Sequence, residues 1–408
     1  ETSFKIAHQR AVGASELEFG VDYRRKKRDV AYTNYAWEAE EEGDPVAYEP
    51  DGVIGSLIKE TRVDPYLMLS GKGEAFSWEA GLRYETTRSD IRYQEDGDVA
   101  GSASKDYNEL LPSLHLKWDL DEATRVSLSL ARSVKRPNFN ELIPALLDGE
   151  FGDNDYIGNP KLDPETANGI DLGFERRLGQ HGVVGVNFFY RDVKNLIELV
   201  NTGEMSEDAQ DNYADELEEF LADNPGATED DFQFDPESWL FTSANVGDGK
   251  VYGVEFDLST PLTALGMPNT GVFLNYSYLN SKVTDFLGER RFNDQARSVY
   301  NVGFIQDLPS LGASFGATYR KQGDAFSRIL AEEVTVKYGD DLEVFVEKRF
   351  GKTLSVRLTA ANLLDASKDE FFHKFDNLAD QIDRDYDEYE LETEEAGPSY
   401  QLVMRWAF

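Results

Sequence analysis

Hydrophobic and polar residues alternate with period two along most of the chain. The last segment is the plainest case, where Tyr400, Leu402, Met404, Trp406 and Phe408 interleave with Gln401, Val403, Arg405 and Ala407. The same alternation recurs at Leu17, Phe19, Val21 and Tyr23, at Trp78, Ala80, Leu82 and Tyr84, and at Val184, Val186, Phe188 and Tyr190. Successive side chains of a strand point to opposite faces, so each segment reads as a strand with one apolar and one polar face. Similar runs cover 114–120, 126–130, 170–174, 252–258, 272–278, 300–304, 315–319 and 354–358. With weaker segments near 3–12, 62–70 and 334–349, about fifteen strands are expected, and the fold class is all-β.

The connections alternate in length. Short links are expected near Gly13, Gly71 to Gly73, Asp121 to Ala123, Gly179 to Gly182, Pro309 to Gly312 and Gly351 to Thr353. Long ones occupy 29–61, 95–107, 135–166, 200–244, 285–297, 323–333 and 368–397. Long loops at one end and tight turns at the other are the layout of an outer-membrane barrel, with the long loops outside the cell. No run of about eighteen apolar residues occurs, so a membrane-crossing helix is excluded while a membrane barrel is not. Inside one loop, Ser206 is placed to cap a helix to about Asp223, with Tyr213, Leu217, Phe220 and Leu221 on one side and Asn224, Pro225 and Gly226 ending it.

Alternation alone leaves open which face is inside. About fifteen strands enclose more volume than side chains can fill, so an apolar interior would be a large dry void, whereas a polar one can hold water or a plug. The apolar face is therefore expected to meet lipid. The sheet must also close, because unpaired backbone groups in hydrocarbon cost several kcal/mol each. Bacterial barrels have even strand numbers, which makes a count of about fifteen point to strands missing on the amino-terminal side.

Composition narrows the chemistry. Forty-one Lys and Arg against 78 Asp and Glu in 408 residues give a formal charge of −37, which argues against nucleic acid. The absence of cysteine removes thiolate catalysis, disulfides and Cys-based metal sites. Four scattered histidines (His8, His115, His181 and His373) form no metal-binding pair, and no nucleotide or nucleophile-elbow motif occurs. No enzyme activity, catalytic residue, cofactor or resident metal is expected; the nearest thing to a catalytic pair is His115 beside Ser113. Acidic residues concentrate in the loops: fourteen, with no Lys or Arg, between Asn201 and Leu240, and nine with one Arg between Ala379 and Ala396. Asp153, Asn154 and Asp155 form a small oxygen-rich group whose spacing matches no complete calcium loop. Acidic surface that aids solubility is the plainer account of these loops.

Several segments carry a resemblance. Arg136 and Pro137, followed by Glu141 and Leu142, and then Gly158, Asn159, Pro160, Leu162, Pro164 and Glu165, are similar to the "R-P-x-x-x-E-L" and "G-N-P-x-L-x-P-E" stretches of TonB-dependent outer-membrane receptors. Phe189, Tyr190 and Ile197 resemble the family's "F-Y-x-x-x-x-x-x-I" strand. Tyr252 to Glu255 resemble its "Y-G-V-E" strand, Asn362 to Asp365 its "N-L-x-D", and the chain ends on an aromatic residue. The resemblance covers essentially all 408 residues as one barrel domain, the carboxy-terminal portion of a plugged barrel of about twenty-two strands. It implies that the amino-terminal strands and plug are absent here. The wording of the motifs is most similar to the branch found in Caulobacter and Xanthomonas, often associated with carbohydrate uptake.

The resemblance implies energy-coupled, TonB-dependent uptake of a scarce nutrient, a carbohydrate or a metal chelate such as a siderophore, across the bacterial outer membrane. A passive porin-like channel and a soluble acidic β-protein are the alternatives. Expected partners are lipid and lipopolysaccharide, the protein's own plug and TonB, the barrel-assembly machinery and a small extracellular ligand, but no nucleic acid. Glu79, Arg83, Glu175, Glu255, Arg320 and Arg357 are expected to face the lumen and a plug. Tyr156, Phe232, Trp239, Phe371 and Tyr389 are the aromatic loop residues able to stack on a ligand. The two prolines of the "G-N-P" stretch fix an extended path, so a structural role is favoured for it, with Glu165 accepting from loop backbone amides. Trp406 and Phe408 are the expected barrel-assembly signal, with an interfacial aromatic belt as the plainer reading. Arg24 to Arg28, and Lys135 with Arg136 at similar height, are candidates for lipopolysaccharide phosphates, or equally a solvated strand end.

Overall fold

The computed structural model describes residues 1–36, 49–95, 98–151, 154–236 and 238–407. Fifteen strands run antiparallel, each paired with the next. They are β1 (Thr2–Val12), β2 (Ser15–Ala36), β3 (Glu49–Lys72), β4 (Phe76–Glu95), β5 (Asp98–Asp119), β6 (Thr124–Lys135), β7 (Glu165–Leu178) and β8 (Gly182–Met205). Then follow β9 (Trp239–Leu262), β10 (Met267–Asp285), β11 (Ser298–Leu308), β12 (Ala313–Gln322), β13 (Asp341–Phe350), β14 (Leu354–Ala361) and β15 (Ser399–Trp406). Among the described residues β1 pairs only with β2 and β15 only with β14, so the sheet is an open wall with two free edges.

Tight turns and long connections alternate along this wall. Gly13, Gly179, Gly266, Gly312 and Gly351 sit at positive φ (57° to 75°) in five of the seven tight turns, where a side chain would strain the backbone. The turn at Thr263 to Gly266, between β9 and β10, is an addition to the sequence reading. Two expected long loops shrink: β2 and β3 extend to Ala36 and from Glu49, and β4 and β5 to Glu95 and from Asp98, because the ladder of backbone pairing continues there. Strands β2 to β5 are therefore 20 to 24 residues long, whereas β13, β14 and β15 have 10, 8 and 8. The segment expected at 334–349 is two strands broken at Gly339 and Asp340, and only its second half belongs to the wall.

Register lines the apolar faces into continuous rows. Leu116, Leu128, Leu172, Phe188, Val254 and Tyr278 lie directly opposite one another across six strands. These residues face away from the rest of the protein, as do Leu402 and Trp406, which are 65% and 70% exposed. Such a band is stable only against lipid. Among the described residues no helix is long and apolar enough to cross a membrane, which leaves the strands to do so.

The polar face is the concave one. Ile58 on β3 and Ile91 on β4 are 0% and 1% exposed, and they share a cluster with Leu142, Ile143 and Leu162 of the β6–β7 loop and with Ile197 of β8. Strands β4 and β8 are four places apart, about 19 Å along a flat sheet, and one compact cluster of that loop touches both by lying inside the curve of the wall. The remaining long loops also fold into structure. Helix α1 (Phe139–Leu142) lies in the β6–β7 loop, and α2 (Glu207–Asp223) in the β8–β9 loop, where Ser206 accepts from the Ala209 amide at 3.0 Å as expected. Residues 325–329, 332–338, 367–374 and 388–395 form a second, four-stranded antiparallel sheet built from the β12–β13 and β14–β15 loops. A short helix α3 (Leu378–Asp383), capped by Asn377, sits within it.

Candidate functional site

The loop end of the concave face encloses a cavity of about 2160 Å³. Lys26 and Arg28 of β2, Glu60 of β3, and Val193, Leu196, Ile197 and Glu198 of β8 line its wall side; Phe372, Lys374, Glu388, Glu390 and Glu392 of the loop sheet, with the adjoining Phe375 and Asp376, line the other. The motif loops set its shape. Arg136 forms an ion pair with Glu85 on β4, which ties the start of the β6–β7 loop to the wall. Burial and the neighbouring Arg62 charge pull the Arg136 guanidinium below its ordinary pKa. The Asn138 and Glu141 side chains cap α1 reciprocally. The Gly158 amide donates to Ile143 O at 2.9 Å and the Asn159 amide to Glu141 O at 2.7 Å; a Cβ at Gly158 would strike the backbone of Ile143 and Asn140. The Asn159 side chain donates to Ser243 O at 3.1 Å, and Leu162 is buried in the cluster that seats the loop.

Glu165 closes the motif. Its carboxylate accepts from Lys135 Nζ at 2.8 Å and from the backbone amide of Ile197 at 2.9 Å, so the expected amide acceptor role is present, but toward β8 rather than its own loop. The "N-L-x-D" stretch is likewise a turn. Asn362 and Asp365 hold φ of 54° and 52°, and the Asn362 side chain accepts from the Ala366 amide at 2.7 Å and donates to Gly397 O at 3.1 Å.

The aromatic candidates divide. Tyr156 and Trp239 line the cavity, Tyr156 with its hydroxyl 2.8 Å from Ser243 Oγ. The other three lie elsewhere. Phe232 packs with Tyr213, Phe220 and Phe234 into a small core under α2. Phe371 and Tyr389 sit on the far face of the loop sheet, because alternation turns Phe372, Glu388 and Glu390 to the cavity and their neighbours away. Phe241, Phe292 and Phe375 line the cavity and escaped the sequence reading, since no motif distinguishes them.

The lumen candidates all lie on the polar face. Arg83 reaches Asp22 at 2.9 Å and Asp64 at 3.2 Å, Glu255 accepts from Asn187 at 3.1 Å, and Arg320 pairs with Asp341 and Glu343. Arg357 lies 3.9 Å over the Phe345 ring. Glu79 and Glu175 keep the same parity, opposite His115 and Arg125. His115 bonds to Ser129 at 3.0 Å rather than to Ser113.

Two further expectations need correction. In the basic run, strand parity sends Arg25 and Lys27 outward, while Lys26 and Arg28 line the cavity, as do Lys135 and Arg136; none of these four faces lipid. The oxygen-rich group is used by the backbone: Asn154 accepts from the Trp239 amide and Asp155 from the Glu207 amide, both at 2.8 Å. Asp153 and Phe408 lie outside the described residues. Among the described residues no cluster of metal-ligating groups is present.

Charge on the loop side is strongly acidic. Lys374 bridges Glu388 and Glu390 at 3.1 and 3.0 Å, and although burial works against its charge, these partners hold its pKa above the ordinary value. Glu332, half-buried, is pushed up by desolvation against the pull of Lys374. Asp376 is pushed up by desolvation and by Asp235 and Asp387.

A strand wall with a lipid-facing apolar band, a polar concavity and a cavity under folded long loops is the architecture of part of an outer-membrane β-barrel. The chain belongs to the TonB-dependent receptor-like β-barrel family, whose model matches residues 1–367 and whose members reside in the bacterial outer membrane. That membership removes the soluble reading. The fold is similar to the ferric yersiniabactin uptake receptor FyuA of Yersinia pestis, with TM-score 0.62 and 12% identity over 100% of this chain and 53% of that one. It is similar also to the copper transporter OprC, with TM-score 0.65 and 14% identity over 100% and 56% of the two chains. The FrpB iron transporter of Neisseria meningitidis gives TM-score 0.57 and 13% identity over 99% and 55%. The chain thus spans about half the length of these structures. No curated protein sequence matches it.

Proposed function

We propose that this chain is the cargo-binding and wall-forming part of a TonB-dependent uptake receptor that takes a scarce metal chelate into the periplasm. One observation carries the reading: the cavity of about 2160 Å³ sits beneath the loops, between strand wall and loop sheet, and is large enough for a metal-chelate cargo. The structurally similar transporters named above carry iron or copper, which favours a chelate over a carbohydrate. Tyr156 and Trp239 give such a cargo aromatic contact. The polar inner face, with Arg83, Glu255 and Arg320, suits a plug domain, and the free edges of β1 and β15 suit further strands of the same barrel. Pulling on the plug by TonB, driven by the proton-motive force, would release the cargo inward.

Two partner roles accompany this reading. Arg25 and Lys27, with Lys59, Arg88 and Arg92 on the outward face of β3 and β4, stand loopward of the apolar band, at the height of lipopolysaccharide phosphates. Trp406, the outward aromatic near the end of β15, is a candidate contact for the assembly machinery. The experiment is uptake of radiolabelled iron chelates by cells carrying the full-length protein, with and without TonB and with a protonophore. Uptake lost in both cases supports the reading; uptake that persists without TonB and scales with concentration identifies a passive porin-like channel.

A further inference from the structure

The cavity is electrically lopsided, and the imbalance remains after the ion pairs among the described residues are counted. On its loop side, Asp235, Asp294, Glu332, Asp376, Asp387 and Glu392 line the space, and none forms an ion pair in the described structure. Glu388 and Glu390 share the single cation Lys374. Asp235 comes from the β8–β9 loop, whereas Asp376 and Asp387 come from the β14–β15 loop, so two chain segments converge with like charge. These three carboxylates are exposed, and the proton affinity of Asp376 is raised by partial desolvation and by the charges of Asp235 and Asp387. Like charges brought together across separate loops repel, weakly through the water that screens them, and a cation entering the space between them relieves that repulsion.

The wall side supplies an independent observation. Glu60 on β3 is 6% exposed, and its remaining surface opens into the cavity. Among the described residues its carboxylate has no hydrogen-bond donor and no cation in contact; Lys26 lies opposite in register, and the Arg136 guanidinium feels its charge from further off. A buried carboxylate without a donor carries a desolvation penalty that a donor on a bound molecule removes. Lys26 and Arg28, on the same wall, are likewise without a carboxylate contact, Arg28 donating instead to Asn140 at 2.5 Å.

We infer that the cavity selects a metal chelate bearing a cationic group such as an ammonium, presented to the loop carboxylates, and discriminates against polyanionic chelates. This deepens the uptake reading above and rests on the cavity being the cargo site. Lys26 and Arg28 then meet the oxygen-rich chelate core, while Glu60 accepts from one of its N–H or O–H groups.

The test is equilibrium binding to the full-length receptor in detergent, read by tryptophan fluorescence. The probes are ferrioxamine B, whose iron complex carries one pendant ammonium, its N-acetylated neutral form, and the trianionic ferric complex of a tricatecholate. The ammonium complex should bind at least about tenfold more tightly than the acetylated one, with the trianion weakest. The double variant Asp376→Asn, Asp387→Asn should bring the first two within about twofold while leaving the acetylated complex unchanged. Equal affinity for the two hydroxamates, or tightest binding of the trianion, overturns the inference and leaves chelate uptake standing. Hexaamminecobalt(III) separates the two ideas. If it binds wild type but not the double variant while all three chelates fail to bind, the cation preference holds and the chelate reading falls. Absence of all binding overturns the inference.

Discussion

The lipid-facing band and the cavity under the loops are built from the same strands and held by opposite means. In the band, six successive strands present Leu116, Leu128, Leu172, Phe188, Val254 and Tyr278 in one row, and no residue there needs a particular partner. Around the cavity, position depends on single contacts: Arg136 to Glu85, Asn159 to Ser243, and Glu165 to both Lys135 and the Ile197 amide. The band is specified by class of residue and tolerates exchange within that class. The cavity is specified by individual atoms.

Substitutions can break that contrast at either end. The largest effect is expected from Leu172→Arg in the middle of the band, which should cost about 2–4 kcal/mol on unfolding from lipid vesicles. Ser127→Arg, on the inner face of neighbouring β6, should stay within roughly 0.5 kcal/mol. Equal costs would mean that the band does not face hydrocarbon. Next, Glu165→Ala leaves the Ile197 amide without its acceptor and should cost about 1–3 kcal/mol, with faster hydrogen exchange at Ile197. Glu165→Gln keeps an acceptor and should exchange more slowly than the alanine variant.

Smaller effects sharpen the comparison inside the loops. Ser206→Ala removes the cap of α2 and should cost about 1 kcal/mol, seen as faster exchange over 207–223 with no change in β8. A loss that spread into the wall would mean that helix and barrel unfold together. Lys27→Ala cuts an ion pair to Asp29 whose side chains are 55% and 68% exposed, and should change stability by less than about 0.5 kcal/mol.

The same contrast decides what can be read from sequence. The band was legible because period-two alternation is a local property: Tyr400 to Trp406 or Val184 to Tyr190 announce a strand and its two faces without knowledge of any neighbour. The α2 helix was legible for a similar reason, through the Ser206 cap. The tops of β2, β3 and β5 read as loops because alternation lapses there: adjacent Leu57 and Ile58 put apolar residues on both faces, and Ile58 is buried only by the β6–β7 loop that folds over it. Of the four-stranded loop sheet only 332–338 was foreshadowed, in the first half of the segment expected at 334–349, since 367–374 and 388–395 pair across a connection that holds α3. The cavity was half visible. Tyr156 and Trp239 stood out as loop aromatics, but Phe371 and Tyr389 looked equally good, and one residue of register separates them from Phe372 and Glu388, which do line it. Glu60 gave no signal, because a lone acid in a strand becomes notable only when its surroundings are known.

Unequal strand length has a consequence for how a solute arrives. A strand of 24 residues such as β3 reaches roughly 75 Å along its path, three times the height of an apolar band of about 25 Å, whereas the 8 residues of β15 reach roughly 26 Å. On one flank the strands themselves form the rim; on the other the short strands give way to the loop sheet, which forms it instead. A diffusing molecule arriving on the flank of β13 to β15 meets loops rich in Asp and Glu first, so long-range attraction gathers positive ions there before any pocket contact is made.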